Sequence, residues 1–102
     1  MNLKFRDADM PKWTQDQAIA FEAARECITD MMGICSAAIA AEESCAHPDP
    51  ARLADLEAEL TRLAAERAVL TVLDEERVAA VRGTYGPRIR AHRAAQRDRA
   101  AA

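Results

Sequence analysis

Cys27, Cys35 and Cys45, with Glu43 and His47 close by, are the side chains best suited to holding a metal or carrying redox chemistry. Their spacing argues against both. On one helix, Cys27 and Cys45 stand five full turns apart, pointing the same way but separated by about 27 Å along the axis. Only Cys45 with His47 or Glu43 could form a local pair, and a zinc site normally takes four ligands. The cysteines read first as small apolar residues in a tight helical seam. A metal-binding or redox bundle using Cys27, Cys35 and Cys45 is the least favoured of three functional readings.

Other chemistry is no better supplied. Glu42 and Arg67 fall at core positions of helical repeats, but the Glu-x-x-His spacing of di-metal bundles is missing. Glu42 is expected to reach solvent near a turn, and Arg67 to meet Glu26 or Asp30 across the seam. There is no His-Glu-x-x-His, phosphate-binding glycine loop or nucleophile elbow. The sequence assigns no catalytic residue, cofactor site or metal site, and reads as non-enzymatic.

Arginine supplies the one pattern of charge with a functional logic. Residues 84–102 hold Arg88, Arg90, Arg93, Arg97 and Arg99 against Asp98, a net +4, while the preceding residues sum to −7. An acidic body with a basic tail suits an acidic partner, a fold-back contact or salt-sensitive binding to phosphates. The tail has no interleaved aromatic residues on which bases could stack.

The elements that must position these groups are helices. Pro48 disfavours helical geometry at His47, and Asp49-Pro50 is a helix start, so a break falls at 47–49. Thr14 with Gln17 fits a capping box behind Trp13. The first helix is expected over about 14–46, the second over about 50–82, with Gly83 as its cap and Thr84-Tyr85-Gly86-Pro87 ending it. Residues 1–13 read as an irregular lead-in, 14–83 as the helical hairpin, and 84–102 as a partly disordered or marginally helical tail.

The expected seam is Phe21, Ile28, Met31, Cys35 and Ile39 against Leu53, Leu56, Leu60, Leu63, Leu70 and Leu73. Folding about the short turn sets Cys35 near Leu60 and Trp13 near Val81. The aromatics Phe5, Trp13, Phe21 and Tyr85 then gather at the open end, as a plug or as a recognition patch. The plug is favoured, because aromatic rings are first of all large units of burial.

At 102 residues the chain is near the lower limit for a self-sufficient core, and the apolar stripes are wider than one seam needs. The expected fold class is therefore all-α: two long antiparallel helices that dimerise into a four-helix bundle. Met1–Trp13 does not resemble a secretory leader, and no apolar run approaches the roughly 20 residues of a membrane span. A cytoplasmic protein with reduced thiols is expected.

The composition resembles that of many small, unrelated bacterial helical proteins, which names no function. The favoured reading is a non-catalytic protein–protein interaction module (a small regulator, adaptor or inhibitor) working as a homodimer on a protein partner. Phe5, Trp13, Tyr85, Arg88, Arg90, Arg93 and Arg97 are the candidate partner-binding residues. The alternative is a nucleic-acid-associated protein that sets the arginine tail on phosphates.

Overall fold

Local capping chemistry opens each helix of the computed structural model, which describes residues 12–102. α1 spans Gln15–Glu43. It starts on the expected capping box: the Gln17 amide donates to Thr14 Oγ1 at 3.0 Å, and the Thr14 amide to Gln17 Oε1 at 2.7 Å. α2 spans Pro50–Val69, with Asp49 Oδ1 accepting from the amides of Ala51 and Arg52 at 3.0 and 3.3 Å. Glu42 does not simply trail into solvent. Its Oε2 accepts from the Asp49 amide at 2.9 Å and ties the two sides of the turn together.

The architecture is all-helical but has three helices, not two. α2 stops at Val69, and the backbone at Leu70 is extended (φ −67°, ψ 132°). α3 then spans Glu75–Ala101, capped by Asp74, whose Oδ1 accepts from the Arg77 amide at 3.1 Å. Glu75 and Glu76 in the first turn complement the positive end of the helix dipole. Asp74 also pairs with the Arg77 side chain, Nε lying 3.6 Å from Oδ2, so the same carboxylate caps α3 and makes an exposed ion pair with its first turn.

The expected end at Gly83 and the expected loose tail both give way to continuous helix. α3 passes through Gly83, Gly86 and Pro87 to Ala101. A proline inside a helix loses one backbone bond and crowds the preceding turn. It also clashes with the Cβ of the residue before it, and here that residue is Gly86, which has none.

Burial supplies the rest of the reason. The core consists of Ala24 and Ile28 of α1, Leu63 of α2, Leu70, and Val78, Val81, Tyr85 and Ile89 of α3. The α3 residues recur three, four and four apart, which makes one helical face. Ile28 and Leu63 are fully enclosed, and such a side chain contributes about 1.5–3 kcal/mol of transfer free energy. The third helix is part of the core. Within one chain, α3 thus covers apolar surface of α1 beyond the α1–α2 seam.

α1 is the central rod, packed against both α2 and α3. Thr29 faces Arg67 and Cys35 faces Leu56, so α2 runs antiparallel to α1. Gln17 and Ala20 lie beside Val78 and Arg82, while Gly33 and Ile34 lie beside Ile89 and Arg93. α3 therefore runs parallel to α1. No helix of the described residues is long and apolar enough to cross a membrane.

Of the expected seam residues, Ile28, Cys35, Leu56, Leu63 and Leu70 are buried, while Phe21, Met31, Ile39, Leu53 and Leu60 are half-buried. Leu73 is the exception, 51% exposed, because α2 has ended before reaching it.

Candidate functional site

Tyr85 is the hub of the polar contacts between α2 and α3. Its ring is buried in the core, and its hydroxyl donates to Glu66 Oε1 at 2.5 Å. Arg62 donates to the same hydroxyl at 3.3 Å and also binds Glu59 through Nε at 3.0 Å. These contacts shape the protonation states. Burial, aided by the bond to Glu66, pushes the Tyr85 hydroxyl up, and Arg62 only partly opposes this. The hydrogen bond from Arg62 holds Glu59 below the usual carboxylate range. Tyr85 is thus a neutral donor committed to Glu66. A shallow groove of about 550 Å³ runs past it, lined by Glu66, Asp74, Glu76, Arg77, Thr84 and Tyr85 among others.

This placement removes Tyr85 from the aromatic end expected from the sequence. It stands mid-way along α3, and Phe21 packs against the core. Trp13 is 43% exposed, and Phe5 lies outside the described residues. Glu59, Arg62 and Glu66 stand three and four residues apart, the spacing of neighbours on one helix face, but nothing local in the sequence brings Tyr85 to them. The missing signal was the 78, 81, 85, 89 spacing, which continues across Pro87.

The cysteines do not converge. Cys35 is buried and its thiol donates to the Leu56 carbonyl at 3.1 Å, while Cys45 is exposed and bonds to the Ala41 carbonyl at 3.5 Å. Burial pushes both Cys27 and Cys35 up, away from the reactive thiolate. Among the described residues, no three His, Cys, Asp or Glu side chains are grouped as a metal site requires. Arg67 does not meet Glu26 or Asp30. It donates to Thr29 Oγ1 at 3.0 Å, and Asp30 pairs instead with Arg93 at 3.2 Å.

Two surfaces remain. Trp13, Ile19, Val69 and Leu73 are large apolar residues left exposed, Ile19 and Val69 by 60% and 65%. Trp13 and Ile19 belong to the start of α1. Val69 and Leu73 flank the α2–α3 connection, which shares a groove with Thr14, Gln17 and Ala20. The other surface is α3 itself, where Arg88, Arg90, Arg93 and Arg97 are exposed on an ordered helix. The Arg88 guanidinium lies over the Tyr85 ring, 5.9 Å from its centre.

Comparison of the chain with protein-family models, with curated proteins and with solved structures finds no match.

Proposed function

We propose that the protein is a non-catalytic interaction module, a small regulator, adaptor or inhibitor that acts as a homodimer of helical bundles on a protein partner. The observation that supports this most is the set of large apolar side chains left exposed. Trp13 and Ile19 near the start of α1, and Val69 and Leu73 around the α2–α3 connection, stay in solvent while the core forms without them. An association surface would cover such groups. Native mass spectrometry of the whole chain tests the reading. A mass of two chains is expected, falling to one chain in the double variant Ile19→Glu, Leu73→Glu with helicity unchanged. A single-chain mass for the unaltered protein would remove the homodimer.

A second reading is favoured by a separate observation. The arginines of α3 stand on an ordered helix, and a regular array of guanidinium groups suits phosphates better than a loose tail does. On this reading the protein associates with nucleic acid.

A further inference from the structure

We infer that the segment of α3 beyond Pro87 is a groove-reading element that lies in the major groove of duplex nucleic acid and grips both phosphate backbones. The inference rests on the nucleic-acid reading of the arginine helix and says how that helix would bind.

Ile89 is the last buried residue of the chain, yet the helix continues to Ala101. Past Ile89 the segment stays beside α1, with His92, Arg93 and Gln96 lining a groove with Asp30, Gly33 and Ala37, and Arg93 pairs with Asp30 at 3.2 Å while staying 58% exposed. At 3.6 residues per turn, Arg90 and Arg97 share one flank of the helix. Arg88 and Arg99 share the other, roughly opposite. The face between them, turned away from Ile89, carries Ala91, Ala94 and Asp98. The cross-section is a slim outer face with guanidinium groups on both sides.

That cross-section selects among anionic ligands. A flat acidic protein surface would meet one flank and leave the other in solvent. A groove about 12 Å wide, walled by two phosphate backbones, admits a helix about 10–12 Å across and meets both flanks together. From Arg88 to Arg99 the helix advances about 16 Å, close to five base steps of about 3.4 Å. The basic side chains chosen fit as well. α3 holds no lysine, and arginine binds phosphate oxygens bidentately. The Arg88 guanidinium lies over the ring of Tyr85, 5.9 Å from its centre, and α2 holds that ring through Glu66 and Arg62. No aromatic residue follows Tyr85, so the stacking platforms typical of single-strand binders are missing from the segment. Small residues at the groove floor predict little discrimination between sequences.

The test is fluorescence anisotropy of the whole chain with a labelled DNA duplex of about 20 base pairs, with the same-length single strand, and with a poly-glutamate peptide. The duplex is expected to bind at 50 mM salt and to weaken about 100-fold by 200 mM, as four phosphate contacts require. Arg90→Gln with Arg97→Gln, and separately Arg88→Gln with Arg99→Gln, are each expected to halve the slope of log affinity against log salt. Helicity by circular dichroism should not change. Asp98→Asn, at a carboxylate that forms no ion pair among the described residues, is expected to tighten binding. Weaker or unchanged binding in that variant counts against this face entering the groove. If one flank proves dispensable, or the single strand binds as well as the duplex, the groove geometry is overturned while nucleic-acid binding stands. If nothing binds at 50 mM salt, or poly-glutamate binds as tightly as the duplex, both the inference and the reading beneath it fall.

Discussion

Two proline-bearing stretches of this chain have opposite outcomes. At Ala46-His47-Pro48-Asp49-Pro50 the helix ends and a new one begins, while at Gly83-Thr84-Tyr85-Gly86-Pro87 it runs on. Residue types alone mark both as breakers, two prolines in the first and two glycines with a proline in the second. The difference lies in what stands on either side. Residues 43–52 are exposed, so continuing α1 would bury nothing. Tyr85 and Ile89 bracket Pro87, and both are buried in the core that includes Ile28 of α1 and Leu63 of α2. A helix-interior proline costs about 3 kcal/mol, which two large side chains at about 1.5–3 kcal/mol each can offset. Local preference decides where tertiary gain is small, and it yields where the gain is large.

That contrast can be broken from its strongest side first. Ile89→Ala removes the anchor beyond Pro87 and should cost about 2–5 kcal/mol. Amide exchange should show the segment past Gly86 losing protection before the rest of the bundle. Uniform loss of protection would mean that Ile89 is not what carries the helix across the proline.

Pro87→Ala restores the missing backbone donor and should stabilise the fold by up to about 3 kcal/mol. The same exchange at Pro50, a first helical position, should change the midpoint of denaturation little. Equal effects at the two sites, read by urea titration, would abolish the comparison.

Tyr85→Phe leaves the ring in the core but removes the hydroxyl shared by Glu66 and Arg62, at a cost of about 1 kcal/mol. The variant also carries a pH signature. Because the folded state holds the Tyr85 proton more tightly than the unfolded state, its contribution is present at neutral pH and is lost as pH climbs past the ordinary tyrosine range. Alkaline denaturation should therefore be shallower in Tyr85→Phe.

The smallest effect belongs to Glu59, whose carboxyl is held low by Arg62. A depressed carboxylate stabilises the fold above its unfolded value and loses that contribution as pH falls through the folded one. The pair is well exposed, so Glu59→Gln should remove no more than about 0.2–1 kcal/mol, seen as a flatter acid limb in a thermal-melt series.

The chain was legible wherever a signal was local. Thr14 with Gln17 and Asp49 with Pro50 each place a helix start through bonds made within three residues. The break at 70–74 was masked because Leu70-Thr71-Val72-Leu73 contains neither glycine nor proline and continues the apolar pattern of α2. Its marker was Asp74 before Glu75 and Glu76, which also fits an exposed charged face. At the candidate site the arginines were legible by count, but their two flanks were not, since flanks exist only once residues 88–101 are a helix.

By itself, then, the sequence determined an all-helical chain, the first turn and the opposition of an acidic body to a basic end. Each follows from hydrogen bonds and charges within a few residues of one another. Only the tertiary structure decided that there are three helices, that Tyr85 is a buried hub, and that the arginine segment is an ordered rod. Those outcomes depend on Val78, Val81, Tyr85 and Ile89 finding Ile28 and Leu63 across the chain. That burial outweighs what glycine and proline prefer alone.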